Sequence, residues 1–544
     1  MYEIIETDGL ARIGRLKVGK KEISTPNLFP VVHPYDDLIT AKEIERIGFK
    51  SIFTNAYILY QNEKARFKAI KKGIHDYLEF DGLIATDSGA FQQYMYKNEE
   101  FNITADKIER FQEVIRSDFP VILDIPVQPE DTYNIAKTKI ENNLKRAQSN
   151  IKRRKILKNC WFGPIHGGKY EDLLKKSTIE MNRLKFGVYA LGGLVKPLIN
   201  YRFDLIIKIL SLVKQNIKPN KPIHLFGMGL PQFFSLAIAF GCDLMDSAAY
   251  ILYAKENRYF DITTGTKDIS ELKEFPCSCP ICQKYTPNEL RTFEDNFKIN
   301  LIAKHNLYIS FTELNTIKQA IELGDLWELV EQRIRSHPTL AKAYSLLSNK
   351  SKFIEKYEKV YKNHGRLFSS LESTYRPVFF RYSNRINKRY RIHKEINCLI
   401  FLPELDVKGK FSPSINQWLN KIKKINKINQ KSLQILFYSE YFGVIPLELK
   451  DLYPIGQYEA IRNRYNSKLL FHKFYKNIKE FLKKRTKNLE KILVLIPKTY
   501  INQYNEEVKF SNEIINKTFK CLLSEDEYDI QIFNNFQGLI ENLT

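Results

Sequence analysis

Long hydrophobic runs are absent from this sequence of 544 residues. Its most apolar stretch, residues 233–241, is far shorter than the roughly 20 residues that a membrane-spanning helix needs. The first ten residues, MYEIIETDGL, carry acids where a secretory signal peptide has a basic and then an apolar segment. We therefore expect a cytoplasmic protein that makes no use of a membrane.

Cysteine is also scarce, with seven residues in the whole chain. Three of them, Cys277, Cys279 and Cys282, lie within six positions, and the other four are scattered. An odd number of cysteines with one tight cluster suits a metal site in a reducing compartment better than a disulfide framework.

Acidic side chains are scarce in one region only. The chain has 85 Lys and Arg against 62 Asp and Glu, a net charge of +23, and residues 351–500 hold 32 basic and 12 acidic side chains, a net of +20. A basic segment of this kind is typical of a protein that binds a polyanion. The alternative is a general preference for lysine on solvated faces. Basic and aromatic residues alternate in one run, which favours the first interpretation: Arg376, Phe379, Phe380, Arg381, Tyr382, Arg385, Lys388, Arg389, Tyr390 and Arg391.

No stretch of sequence is repeated and low-complexity linkers are missing, so domain boundaries must be inferred from length and composition. Single hydrophobic cores rarely grow past about 250–300 residues, and this chain therefore holds more than one domain. We predict a catalytic domain at 1–347 that includes a metal segment at 274–310, a basic domain at 348–465 and a second C-terminal domain at 466–544. The two C-terminal domains are expected to be small and of the α+β class.

The first 250 residues repeat one unit: a short apolar run, a polar or Gly-rich turn and a charged helical stretch. Eight apolar runs fit this description, at residues 28–32, 51–54, 83–86, 121–123, 161–165, 188–191, 223–226 and 243–245. Their starts are mostly 20 to 40 residues apart, a spacing that suits a strand followed by a crossover helix. Eight such units predict a (β/α)8 TIM barrel of parallel strands, with a doubly wound sheet as the alternative.

Residues suited to chemistry directly follow six of these runs. They are Asp87, Asp124, His166, the pair Gly192 and Gly193, Gly227 with Gly229, and Asp246. Because active sites of TIM barrels lie where the strands end and the loops begin, we expect these residues to share one mouth. Three carboxylates facing one mouth would be an unusual arrangement for stability alone.

Ten motifs in this order resemble the archaeal tRNA-guanine transglycosylase family. They include TDSGAFQ at 86–92, LDIPVQP at 123–129, YALGGLVKP at 189–197, HLFGMGLP at 224–231, GCDLMDSAAYILYAKENRYF at 241–260, EFPCSCPICQKYTP at 274–287 and HNLYISF at 305–311. The stretch VIPLELKDLYPIGQYE at 444–459 is similar to a later domain of the same proteins. The segment after Asp246 and the length beyond His305 favour the archaeal over the bacterial branch.

The resemblance implies a TIM-barrel enzyme with one structural zinc ion per chain. Its partners would be tRNA and a free 7-deazaguanine base. The implied reaction exchanges guanine at position 15 in the D-arm of tRNA for 7-cyano-7-deazaguanine, a step in archaeosine biosynthesis.

Exchange of a base with retention of configuration requires two successive displacements through a covalent sugar–enzyme intermediate. The resemblance implies that Asp246 is the nucleophile and Asp87 the proton-transfer partner, although the division of roles between the two stays open. The alternative is that each aspartate only caps the helix that follows it.

Recognition of the base is assigned through the same resemblance. Asp124 would accept the two donors on one edge of guanine, and Phe91 would stack on the ring unless it is an ordinary core residue. Backbone N–H groups of the glycine pair and of Leu194 would bind the guanine carbonyl. His166 departs from the family, which usually has Gln there, so specificity at this edge is open. The predicted substrate-binding residues are Phe91, Asp124, His166, Gly192, Gly193 and Leu194.

The cysteine cluster is joined by a histidine 23 positions after its last member. Cys277, Cys279, Cys282 and His305 would form a closed tetrahedral site, so the resemblance implies a structural Zn²⁺. Four further histidines, His33, His75, His224 and His337, are read as ordinary residues.

The C-terminal sequence departs from the family pattern, because it lacks the Gly-punctuated strands of the PUA-type tRNA-binding domain that archaeal members usually carry. The binding of tRNA would then depend on residues 351–500, on a second subunit (a homodimer or a helper protein), or on the barrel.

Two other functions compete with the transferase. A non-catalytic tRNA-binding paralogue or subunit would have lost an aspartate or a metal ligand. An archaeosine-forming synthase would need a reactive cysteine, whereas Cys398 and Cys521 lie in hydrophobic contexts.

Overall fold

The computed structural model describes residues 2–36, 38–90, 92, 103–154, 160–405, 412–429, 432–461, 468–483, 485, 489–502, 504–510, 513–524 and 529–543. The chain divides into two compact units, Met1–Leu346 and Leu347–Thr544. The first boundary lies one residue from the predicted one. No helix within the described ranges combines the length and apolarity that crossing a bilayer demands.

A three-stranded antiparallel sheet opens the first unit: β1 (Tyr2–Asp8), β2 (Ala11–Val18) and β3 (Lys21–Thr25). Its inward side chains Leu16, Val18 and Ile23 belong to the same hydrophobic cluster as the residues inside the barrel. The sheet therefore closes one end of the barrel and leaves the other end for a site.

Eight parallel strands follow and confirm the predicted barrel. They are β4 (Asn27–Val32), β5 (Ser51–Asn55), β6 (Leu83–Asp87), β7 (Phe119–Pro120), β8 (Phe162–Ile165), β9 (Val188–Leu191), β10 (Ile223–Leu225) and β11 (Leu244–Ser247). Their order is β7-β6-β5-β4-β11-β10-β9-β8, and a parallel bridge from Val121 to Phe162 joins the two ends. This closure excludes the doubly wound alternative. The fourth strand begins two residues before the predicted run at 121–123.

Helices connect the barrel strands, as in βα units. The longest of these crossovers, Tyr133–Arg153, begins where Thr132 caps the N–H of Ile135, and it buries one side chain on every turn. The α-helices of the barrel layer are Ala41–Ile47, Ala56–Gln61, Glu63–Lys72, Ile74–Leu78, Ala105–Val114, Tyr133–Arg153, Glu171–Arg183, Val195–Ile199, Phe203–Asn216, Pro231–Ala239 and Ala249–Lys255.

A smaller subdomain follows the eighth strand. It contains the hairpin β12 (Arg258–Asp261) and β13 (Gly265–Asp268) with a 3-10 turn at Ile269–Glu271. Its α-helices are Pro280–Lys284, Pro287–Thr292 and Asp295–Leu323, and Leu326–Arg333, a 3-10 turn at Ile334–Ser336 and Pro338–Tyr344 complete the unit.

The second unit is built around one five-stranded sheet. Its strands are β15 (Cys398–Pro403), β16 (Leu433–Ser439), β17 (Gly443–Pro446), β19 (Lys491–Leu495) and β22 (Ile530–Phe533), in the order β17-β16-β15-β19-β22. Only β17 runs antiparallel to its neighbour. Alternate residues of β15 enter two separate cores: Ile400 and Leu402 pack on one face, and Leu399 and Phe401 on the other.

This sheet corrects the predicted division at residue 465. Strands β15 and β19 come from opposite sides of that position, yet they pair directly along their length. Each of the two hydrophobic clusters on the faces of this sheet contains residues from before and after position 465. The segments on either side of that position therefore share their cores. The described part of 347–544 is therefore one α/β unit.

Helices and short strands complete the second unit. Its α-helices are Leu347–Ile354, Pro377–Lys388, Pro413–Asn429, Lys468–Lys483, Glu513–Leu523 and Phe536–Glu541, with 3-10 turns at Leu371–Tyr375, Leu447–Leu449 and Ile455–Gln457. Two small sheets pair β14 (Arg366–Phe368) with β18 (Tyr458–Ala460) and β20 (Thr499–Ile501) with β21 (Glu507–Lys509).

Candidate active site

A cavity of about 580 Å³ opens at the carboxyl ends of the barrel strands. The structure brings seven of the eight predicted catalytic and substrate-binding positions to its wall: Asp87, Asp124, His166, Gly192, Gly193, Leu194 and Asp246. Phe91, the predicted stacking residue, lies outside the described residues. The three strand-end carboxylates thus line one cavity, and the exposed Asp36 also lies on its wall.

Asp87 ends strand β6 at the floor of this cavity. The side-chain amide of Asn55, which ends the neighbouring strand β5, donates a hydrogen bond of 3.0 Å to its Oδ2. Burial raises the pKa of Asp87 to about 7, and the negative charges of Asp124 and Asp246 act in the same direction. Backbone N–H groups of Ser88 and Gly89 oppose this rise only in part. Asp87 can therefore both hold and release a proton near neutral pH.

Asp246 lies on β11, and one of its two oxygens is held by two donors. Nε2 of His224 lies 2.8 Å from Oδ1, and the N–H of Gly227 donates to the same oxygen at 3.1 Å. Gly227 has φ +71°, a left-handed conformation that favours glycine and aims its N–H at the carboxylate. The carboxylate is thereby fixed in orientation at the edge of the cavity.

His224 is a site residue that the sequence-based interpretation missed, because it was read as ordinary. In the pairing of β10 with β11, His224 lies opposite Leu244, and this register indicates that His224 is close to Asp246. Side chains two positions apart on a strand point to the same face, so Asp246 lies one layer above Leu244 on the side where His224 points.

Asp124 and His166 form a buried pair on the opposite wall. Nε2 of His166 lies 2.5 Å from Oδ2 of Asp124, and the side chains are 1% and 9% exposed. The ring of His166 presses on Gly192, where an added Cβ would lie 2.1 Å from Cε1. Only glycine at 192 therefore accommodates this ring orientation.

The predicted role of Gly192 as a donor to the base needs correction. Its N–H donates to the carbonyl of Ile165 at 3.2 Å, continuing the ladder between β8 and β9. A second donor role for the same N–H would break this sheet bond. Gly193 and Leu194 remain as the predicted backbone donors at this wall.

Four predicted metal ligands meet in the subdomain after the barrel. The ligand atoms of Cys277, Cys279, Cys282 and His305 all lie within 4.8 Å of one another. Nε2 of His305 lies 2.9 Å from the carbonyl of Phe260, which leaves Nδ1 to face the sulfurs. An outer hydrogen bond of this kind fixes a ligating imidazole. The cluster could hold one metal ion.

The basic run of the second unit is partly structural. Arg376 and Arg381 are 2% and 7% exposed, and Arg381 donates 2.7 Å bonds to the side chain and the carbonyl of Glu355. Phe379 lies in the core, and the hydroxyl of Tyr382 donates to the carbonyl of Val444 at 2.8 Å. Phe379 and Tyr382, two of the aromatic residues that favour nucleic-acid binding in the sequence, thus pack against the core of the unit. The exposed cations at the end of this run are Lys388, Arg389 and Arg391.

Comparisons with known proteins find relatives along most of the chain. The family described as queuine tRNA-ribosyltransferase matches residues 7–339, which nearly fill the first unit. The chain is 37% identical over 515 residues to the tRNA-guanine(15) transglycosylase of Methanococcus aeolicus, covering 93% of this chain and 75% of the relative. The protein of the same name from Methanocaldococcus jannaschii is 36% identical over 544 residues, which cover 98% of this chain and 80% of the relative. The one from Pyrococcus furiosus is 40% identical over 459 residues, which cover 84% of this chain and 71% of the relative.

Proposed function

Because the chain belongs to the queuine tRNA-ribosyltransferase family, enzymes that transfer a base to tRNA, we propose that it acts on guanine 15. In this proposal it exchanges that guanine for 7-cyano-7-deazaguanine, a step in archaeosine biosynthesis. The names of the relatives support the position in tRNA. The observation that carries the proposal is the convergence of the three strand-end carboxylates, Asp87, Asp124 and Asp246, in one cavity, where Asp87 has a pKa of about 7.

The reaction proceeds by two displacements at C1′ of the target ribose. In the first, an oxygen of Asp246 forms an ester bond to C1′ while the bond from C1′ to N9 of guanine breaks. Asp87 gives its proton to the departing guanine, since at its pKa of about 7 a protonated fraction is available. In the second, the nitrogen of the incoming base attacks C1′, the ester breaks, and Asp87 takes the proton back. Two inversions retain the configuration.

The contacts of the two aspartates support this division of roles. Asp246 has its orientation fixed by two donors on one oxygen, as a nucleophile that must approach a single carbon requires. Asp87 has the raised pKa that proton transfer requires. The helix-cap alternative does not account for either feature.

Recognition of the base falls to the opposite wall. Asp124 would accept from the ring N–H and the exocyclic amine of guanine, with Gly193 and Leu194 donating to the carbonyl. His166 already bonds Asp124 and would hold that carboxylate toward the base. Phe91 is proposed to stack on the ring.

The metal is proposed to be one structural Zn²⁺ per chain. Zn–S bonds of about 2.3 Å and Zn–N bonds of about 2.0 Å at tetrahedral angles place two sulfurs roughly 3.8 Å apart and sulfur and nitrogen roughly 3.5 Å apart. Cys279 and Cys282 have their sulfurs 3.6 Å apart, and these sulfurs lie 3.5 and 3.3 Å from Nδ1 of His305. The ion would hold the cysteine segment at 277–282 to His305 on helix Asp295–Leu323. It would use all four protein ligands, so it would take no part in base exchange.

Base exchange with labelled guanine tests the proposed function. Purified enzyme should incorporate labelled guanine into a tRNA with guanine at position 15 and not into the same tRNA with adenine there. Unlabelled 7-cyano-7-deazaguanine should then displace the label. Incorporation that ignores the base at position 15 would contradict the proposal.

A further inference from the structure

His224 lies inside the barrel, where its surroundings leave its ring no freedom. The side chain is fully buried, and four phenylalanine rings surround it: the centroids of Phe29 and Phe53 lie 6.0 Å from its own, and those of Phe162 and Phe226 lie 5.0 Å away. Interiors packed in this way do not rearrange freely. The ring orientation is therefore set by the barrel and not by the substrate.

The hydrogen bonds of this ring are one-sided. Nε2 faces Oδ1 of Asp246 at 2.8 Å, whereas Nδ1 is buried without a partner among the described residues. An N–H at Nδ1 would be buried without an acceptor, which is costly in an apolar environment. The ring therefore carries its proton on Nε2 and donates it to the carboxylate.

The two oxygens of Asp246 are consequently unequal. Oδ1 accepts from both His224 and the N–H of Gly227. Within the part of the chain that the structure describes, Oδ2 accepts from no protein group, and Asp246 lines the cavity. Hydrogen bonds lower the nucleophilicity of the oxygen that accepts them and fix the plane of the carboxylate.

We propose that His224 is a positioning residue, which holds Oδ1 of Asp246 and so selects Oδ2 as the oxygen that attacks the ribose. This inference rests on the proposed function, in which Asp246 is the nucleophile. The same bond stabilises the carboxylate when it leaves the sugar in the second displacement. The imidazole itself touches neither the sugar nor the base.

Two substitutions separate the hydrogen bond from the packing. His224→Phe keeps an aromatic ring among the phenylalanines and removes the donor, whereas His224→Gln keeps an N–H donor. We expect His224→Phe to lower kcat for base exchange about 10- to 100-fold, the range expected for losing a hydrogen bond to a charged group. KM for tRNA and for the base should change less than about threefold, and His224→Gln should recover most of kcat.

His75 supplies the matched control. Its Nε2 lies 2.9 Å from Oδ2 of Asp118, a similar contact away from the cavity. His75→Phe should leave kcat unchanged at a temperature well below unfolding. If His224→Phe exchanges bases at the wild-type rate, or if both variants lose kcat equally, the positioning role is overturned.

A spectroscopic readout on the wild-type chain does not depend on activity. With ¹⁵N-labelled histidine, the signal that disappears in His224→Phe should show the proton on Nε2 and should shift in Asp246→Asn. A proton on Nδ1, or no shift, would overturn the inference even if base exchange is observed. A wild-type chain that exchanges no base would overturn the proposed function, and the positioning role would fall with it.

Discussion

Asp87 combines a buried position with two acidic neighbours, and this combination lowers the stability of the folded state. Its carboxyl has an ordinary pKa of 3.8 and a folded pKa of about 7. Between these values the folded chain keeps a proton that the unfolded chain releases, so stability falls as pH rises from about 4 to about 7. Above pH 7 the loss is complete.

Asp87→Asn should therefore be more stable than the wild type at pH 8 and equally stable at pH 4. The amide stays neutral at both values, so it avoids the burial of a charge that the wild type must accept above pH 7. We expect a rise of a few degrees in the unfolding temperature of the barrel unit at pH 8. Asp81→Asn, at an exposed position away from the cavity, is the control. An equal change in the unfolding temperature of Asp87→Asn at pH 8 and at pH 4 would contradict the raised pKa of Asp87.

At the residue scale, most of the site could be predicted from one rule: the catalytic residues of a TIM barrel lie at the carboxyl ends of its strands. Asp87, Asp124 and Asp246 obey it. His224 escaped because it lies within a strand, where a buried histidine is normally structural. The sheet bond of Gly192 also depends on the pairing of β8 with β9, which spacing along the chain does not reveal.

The metal subdomain depends on contacts between distant segments. Chelation should lower the unfolding temperature by about 5 °C or more before exchange at low temperature is lost, because a structural ion contributes to folding and not to the reaction. Metal analysis should find one zinc per chain. Cys277→Ser should reproduce the loss of stability, and Cys521→Ser, on helix Glu513–Leu523, should not. Exchange lost on chelation without any change in unfolding would contradict a structural role.

A group of exposed cations at the end of helix Pro377–Lys388 is suited to binding phosphates. Replacing Lys388, Arg389 and Arg391 with Glu should weaken the binding of all tRNAs about equally. It should reduce the slope of log affinity against log salt by about 2 to 3, since each neutralised phosphate contributes roughly 0.7 to 0.9.

Lys64, Lys68 and Lys71 are exposed on helix Glu63–Lys72 of the barrel unit, and reversing them changes the net charge by the same amount. This control should leave the slope nearly unchanged. Equal reductions from both sets would show that overall charge, and not this surface, governs binding. Arg381 is unsuitable for the test because its bonds to Glu355 are structural.

At the element scale the barrel was predictable and the second unit was not. Each barrel strand is followed by its own helix, so the pattern repeats locally along the chain. In the second unit β15 pairs with β19, some 90 residues later, and a change in composition near residue 465 resembled a boundary. Local patterns identify strands, whereas the pairing of distant strands depends on the packing of both faces.

Over the whole molecule, the chemistry and the charge are separated along the chain. The cavity and the metal cluster lie in Met1–Leu346, whereas residues 351–500 carry a net +20 of the total +23. Identity to the relatives from Methanococcus aeolicus and Methanocaldococcus jannaschii covers more than nine-tenths of the chain and so includes both units. We therefore expect the first unit to determine which base is exchanged and the second to contribute affinity for tRNA.

The most direct test of the account is the site of the covalent bond. Enzyme mixed with labelled tRNA and denatured during turnover should carry the label on a denaturing gel through an ester. Proteolysis and mass spectrometry should place the ribose on the peptide that contains Asp246. Asp246→Asn should form no adduct and should lose exchange by about 10³-fold or more. A ribose found on the Asp87 peptide, or an adduct that persists in Asp246→Asn, would contradict the assignment of the nucleophile.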